Sequence, residues 1–134
     1  MLKQTLTAII GGLLLPTIPE ASVTTEVLER DSRECVAYAR SRVPSLPHGL
    51  WDWNDKKNIK NSSKCKKGSV AIIDVGDDTG HLAVVEKCDD SGSSQSIKIT
   101  ETKWKTGYLT QRTAKSSKIS KAQSELKIFG YFRP

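Results

Sequence analysis

The sequence predicts an α+β domain in which an N-terminal helix carrying a cysteine packs on a small antiparallel β-sheet or half-barrel. Three observations predict it. Val36, Ala39 and Val43 form an apolar stripe at helical spacing, and Pro44 ends it, because proline lacks an N–H and its ring collides with the preceding turn. Runs such as Val70-Ala71-Ile72-Ile73 and Leu82-Ala83-Val84-Val85 have the length and β-branched content of buried strands. Only short turn segments separate these runs, so successive strands should pair antiparallel. With 134 residues, 37% apolar and 27% charged, the chain can build one core but not two.

The first residues are unlike the rest. Lys3 precedes an apolar run from Thr5 to Leu15, and Pro16, Pro19 and Ala21 follow before polarity rises at Thr24. Residues 1–21 read as a signal peptide or an N-terminal hydrophobic anchor, since the apolar run is short for a membrane span. Cleavage after Ala21 would leave Pro19 where a small residue is usual. A secreted or periplasmic protein is expected, with anchoring by residues 1–21 as the alternative and no other membrane contact. Residues 22–134 are expected to form one catalytic domain, active as a monomer.

Each later element has its own signal. Asp31 and Glu34, three apart, read as a capping-box variant that puts Cys35 in the first or second helical turn, with the helix ending near Arg42. Pro44, Pro47 and Gly49 mark a loop carrying His48, Trp51 and Trp53, before a Lys- and Asn-rich stretch to Lys67. Strands at Ser69–Asp74 and His81–Lys87 form a hairpin across residues 75–80. A turn at Asp89–Ser94 leads to a strand at Ser96–Glu101, where Ile97 and Ile99 alternate with polar residues. Tyr108–Thr113 is a further strand, Lys115–Lys121 a polar turn and Lys127–Phe132 a closing strand.

Composition narrows the partners. Lys and Arg number 21 against 15 Asp and Glu, so a charge of +6 draws the protein to anionic polymers such as cell wall. The cations are scattered and accompany no nucleic-acid motif, so no nucleic acid is expected. Asp77-Asp78 and Asp89-Asp90 are turn residues without calcium-loop spacing, and no His/Cys cluster suggests zinc, so neither metal nor cofactor is expected. If Asp74 pairs near His81, Cys88 falls opposite about Lys67, two residues from Cys65. A Cys65–Cys88 disulfide is then within reach in an oxidising compartment; the alternative is two unpaired thiols at strand ends.

The third cysteine carries the chemistry. Cys35 at a helix start, His81 opening a strand and Glu101 on the next strand are the parts of a thiol nucleophile, its base and an orienting carboxylate. The helix dipole and a protonated imidazole both lower a thiol's pKa. Each residue alone is more simply structural: a buried small thiol, a satisfied strand-end histidine, a solvent-facing glutamate. Their joint placement favours catalysis. His48 reads as a loop residue, while Trp51, Trp53 and Trp104 either line a substrate groove or pack in the core.

Four segments, Glu34-Cys35-Val36-Ala37-Tyr38-Ala39-Arg40, Lys67-Gly68-Ser69-Val70-Ala71-Ile72-Ile73, Gly80-His81-Leu82-Ala83-Val84-Val85-Glu86 and Ile99-Thr100-Glu101-Thr102-Lys103-Trp104, resemble the CHAP domains. These are cysteine- and histidine-dependent amidohydrolases and peptidases related to papain. The resemblance implies a papain-like fold and hydrolysis of a peptidoglycan amide bond, by an endopeptidase or an N-acetylmuramoyl-L-alanine amidase. It assigns Cys35 as nucleophile, His81 as general base and acid, and Glu101 as the group orienting His81. Two positions depart from the family pattern: Glu34 stands where glutamine is frequent, and Lys103 where asparagine is frequent. A wall-binding or structural module of impaired activity is the alternative these departures favour, and a thiol protease or transferase acting on other amides is a third reading.

Overall fold

The computed structural model describes residues 21–103 and 106–134. In chain order the elements are β1 (Ala21–Arg30), α1 (Cys35–Arg42), α2 (Trp53–Asn58), β2 (Val70–Ile73), β3 (His81–Asp89), β4 (Gln95–Lys103), β5 (Tyr108–Ser116), α3 (Ile119–Glu125) and β6 (Ile128–Phe132). The strands form one sheet ordered β1-β5-β4-β3-β2-β6, and every neighbouring pair is antiparallel. This is the predicted α+β class. Among the described residues no helix is long and apolar enough to cross a membrane. The leader expected at residues 1–21 lies, up to residue 20, outside the described residues; Ala21 begins β1.

Helices cover both faces of the sheet, which explains the unbroken apolar runs. Val36, Tyr38 and Ala39 of α1 pack with Val70, Ile72, Leu82 and Val84 on one face. Ala122 and Leu126, in and just after α3, pack with Ala71, Ile73, Ala83, Val85, Ile97 and Ile99 on the other. All four residues of β2 are therefore buried, as a strand covered on both sides requires. Successive strand residues alternate between two apolar layers.

The start of α1 differs from expectation. Glu34 is its N-cap but makes no side-chain cap, so the Asp31–Glu34 capping box does not form. The Asp31 carboxylate instead accepts from the Arg33 backbone N–H at 3.1 Å and from its guanidinium at 2.6 Å. A nearby guanidinium outcompetes an amide for the same anion. The helix does end at Arg42. Its last turn is fixed by Arg42, which makes a bidentate pair with Glu86 at 2.7 and 2.9 Å, while Tyr38 Oη hydrogen-bonds Thr100 Oγ1 at 2.7 Å.

Three elements had no counterpart in the predicted order. β1 occupies the stretch after the expected leader, where its alternation is weak because nearly every residue is exposed. α2 arises inside the polar stretch, where a reciprocal Asp52–Asp55 capping box supplies the stability that an apolar stripe would otherwise give. α3 begins at Ile119, inside the expected Lys115–Lys121 turn, and β5 runs on to Ser116, so the turn shrinks to the residues between them. Ile119, Ala122 and Leu126 carry its helical spacing beneath a Lys/Ser-rich surface.

The β2–β3 hairpin is in a register one residue from that expected: Ile73, rather than Asp74, faces His81. Gly68 N–H donates to Val85 O at 2.9 Å and Val85 N–H to Ser69 O at 2.9 Å, which prolongs the pairing toward Cys65. Cys65 and Cys88 are joined by a disulfide with Cα atoms 5.9 Å apart and a sequence separation of 23. Closing a loop of that size restricts the unfolded chain by about 3 kcal/mol. The Cys65→Ser/Cys88→Ser double variant should lose most of that stability, seen as a lower urea midpoint with a steeper slope as the uncrosslinked unfolded chain expands, and the same change should follow reduction of the wild type.

Candidate active site

Cys35 is the first residue of α1, so its sulfur sits where unbonded backbone N–H groups and the positive end of the helix dipole meet. His81 is the first residue of β3. The turn before it is shaped by Asp77, whose Oδ1 accepts from the backbone N–H groups of Thr79 at 2.9 Å and Gly80 at 3.2 Å. Gly80 has φ +69°, and a Cβ there would lie 2.6 Å from the Trp53 ring, so only glycine fits between that ring and the histidine strand.

The three predicted residues meet in space. His81 Nε2 lies 2.7 Å from Glu101 Oε1, and the Cys35 thiol interacts with the same ring closely enough to shift the titration of both. Glu101 is fully buried in β4. A buried carboxylate needs more than one partner, and the second is Arg112 of β5, which the sequence reasoning missed. Arg112 Nη2 donates to Glu101 Oε1 at 2.9 Å and its Nε donates to Oε2. The signal was present: Arg112 is the one cation in the predicted Tyr108–Thr113 strand, the strand that follows the one bearing Glu101.

These contacts set the charges. Burial would push the Glu101 carboxyl up, but its bonds to His81 and Arg112 outweigh this and hold it at about 2. Burial alone would lower His81, yet its bonds to Cys35 and Glu101 raise it to about 9. Burial pushes the Cys35 thiol up; the His81 bond and charge, a backbone hydrogen bond from Leu82 and the Lys56 charge bring it below an ordinary thiol. Both shifts favour moving the proton from sulfur to ring, and the two groups titrate jointly rather than singly.

A cleft of about 480 Å³ opens over this pair, walled by Leu50, Trp51, Lys56, Thr79 and Lys103. Trp51 is 80% exposed and stands at its edge as a free aromatic surface. Trp53 does not line it. Its ring packs against the α1-side core and meets Phe129 edge-on at 5.4 Å between centroids. Trp104 lies outside the described residues. Glu34 and Lys103, the two departures from the family pattern, both border the cleft with exposed side chains, whereas His48 is exposed away from it. Among the described residues no group of three or more His, Cys, Asp or Glu could hold a metal ion.

The family model of the CHAP domain matches residues 28–103, more than half of the chain, from the end of β1 through β4. No curated protein and no solved structure matches the chain.

Glu101→Gln should bring the His81 pKa down from about 9 toward its ordinary 6.5, measured by NMR titration of the ring, because the lost anion no longer favours imidazolium. Stability has a matching acid limb. A carboxyl held below its unfolded value of 4.5 stabilises the fold fully above that pH and loses the contribution as pH falls toward 2. Denaturation midpoints between these limits should fall steeply for the wild type and less steeply for Glu101→Gln.

Proposed function

The chain belongs to the CHAP domain family, and from this we propose that it is a peptidoglycan hydrolase that cleaves an amide bond of the cell wall with Cys35 as nucleophile. The observation that carries the reading is the unbroken string of contacts from the Cys35 sulfur through His81 to Glu101.

The geometry suits acyl transfer in two halves. The Cys35 thiolate adds to the substrate carbonyl carbon, and the oxygen takes the negative charge in the field of the free N–H groups at the α1 start. As the carbonyl re-forms, the C–N bond breaks and the His81 imidazolium gives its proton to the departing amine, leaving a thioester. Water then attacks the thioester while neutral His81 removes its proton. Collapse releases the carboxylic acid and restores thiolate and imidazolium. Glu101 holds the ring throughout, with Arg112 holding Glu101.

Location and substrate follow as parts of the same reading. The disulfide suits an oxidising compartment, which favours a secreted or periplasmic protein, with anchoring by residues 1–21 as the alternative. The +6 charge would concentrate a monomer on an anionic wall and lose that effect in high salt. Trp51 offers a stacking surface beside the nucleophile. The second reading, a wall-binding module without turnover, is favoured by the two departures from the family pattern, Lys103 and the Glu34 carboxylate, which both border the cleft where oxyanion charge would develop.

Purified peptidoglycan separates the two. The wild type should release soluble fragments, and Cys35→Ala should release them about 10³-fold more slowly or not at all. Fragment masses identify the bond, whether within peptide or between sugar and peptide. Equal release by both proteins would exclude thiol catalysis. Glu34→Gln should raise kcat by removing a negative charge near the oxyanion; an unchanged kcat would mean that the carboxylate stays turned to solvent.

A further inference from the structure

Lys56 stands out because lysine is rarely buried, and here it is 3% exposed on the second turn of a six-residue helix. Its stem is long enough to carry the ammonium to water, as surface lysines do. Instead Nζ donates to Thr79 O at 2.7 Å and to Trp51 O at 3.2 Å. These two carbonyls belong to different walls of the cleft. Trp51 ends the proline-rich loop, and Thr79 lies two residues before His81. The Lys56 stem also passes over Gly80, where an added Cβ would lie 3.3 Å from its Cδ. A neighbouring bond, Trp53 N–H to Asp78 O at 2.7 Å, fixes the same helix to the same loop.

We propose that Lys56 is a positioning residue of the active site: its buried ammonium ties the Trp51 wall to the strand that presents His81 and places a fixed positive charge in the cleft holding the nucleophile. The inference rests on the reading of Cys35 and His81 as the reacting pair. It adds a residue that no motif identified, from a stretch that reads as solvated loop in the sequence. Other charges share the space. Asp55 of α2 and Asp77 of the β2–β3 loop both feel the Lys56 charge, and Glu34, His81 and Lys103 face the cleft from α1, β3 and β4. The two aspartates balance the ammonium from outside, while on the cleft side it adds to the positive field at Cys35.

Alkylation of Cys35 by iodoacetamide across pH reads the thiolate without any substrate. In Lys56→Met, which keeps the stem and removes charge and donors, the profile should shift up by about half a pH unit, and kcat on peptidoglycan should fall about tenfold with a smaller change in KM. A merely structural lysine would lower the thermal midpoint and leave the alkylation profile of the folded fraction unmoved, which would overturn the proposal. A measurement on the wild type does not depend on the variant folding. The Lys56 ammonium protons should be protected from exchange in ¹⁵N NMR, and the Nζ signal should move in Cys35→Ser. An Nζ that exchanges like a surface lysine, or one indifferent to Cys35, would refute the tie. Because alkylation needs no wall, its failure leaves the hydrolysis result standing, and failure of hydrolysis leaves the alkylation result standing.

Discussion

The row of four groups, the Cys35 thiol, the His81 ring, the Glu101 carboxylate and the Arg112 guanidinium, buried at its centre and half-buried at both ends, is the constraint on which the rest of the site depends. Whether the shared proton sits on sulfur or on the ring, the row as a whole is neutral. Neutrality is what makes burial tolerable, since an unpaired ion in the interior costs several kcal/mol. Taking one member away strands another. Glu101 without Arg112 would be a fully buried anion with only a titratable partner, and His81 would then be asked to stay charged to satisfy it.

The fold supplies this row from separate elements, and each delivery is fixed by a different kind of force. α1 brings sulfur, and its far end is held to the sheet by the Arg42–Glu86 pair and the Tyr38–Thr100 bond, so the helix start is aimed by contacts at its other end. The β2–β3 loop brings the ring, braced by Asp77 from within and by α2 from outside. β4 and β5 bring carboxylate and guanidinium on adjacent strands, where Ile99 faces Arg112 in register and Glu101 lies diagonally within reach. The Cys65–Cys88 disulfide closes the same hairpin at its other end.

How much of this was legible follows from range. Cys35, His81 and Glu101 stood out because each opens or lies in a regular element, and those elements carry the family's pattern. The helix end at Arg42 was legible because proline acts locally. Arg112 was hidden because its role is a cross-strand contact, and a lone arginine in a polar strand has the look of a solvated residue. α2 was hidden for a related reason: six residues with no apolar stripe are held by a capping box and by bonds to a distant loop. α3 showed the helical spacing, but lysines and serines around Ile119 and Ala122 gave the stretch a turn's composition. The failed Asp31–Glu34 box is the opposite case, where a local motif lost its acceptor to Arg33.

Under the proposed thiol mechanism, the same electrostatics explain how one histidine would serve both halves of a hydrolysis. In the resting site the bonds to Cys35 and Glu101 raise His81 to about 9, so in that mechanism it would be charged and ready to protonate a leaving amine. Acylation would convert a thiolate to a neutral thioester, and the Cys35 partner would lose its charge. Burial, which opposes the charged ring throughout, then has only Glu101 against it, and Glu101 divides its charge with Arg112. The ring's pKa must fall at that step. A lower pKa favours the neutral imidazole that water activation requires, so in the proposed mechanism the acyl group itself would turn His81 from acid to base. Arg112 matters most here: a glutamate facing His81 alone would hold the proton on the ring and slow deacylation.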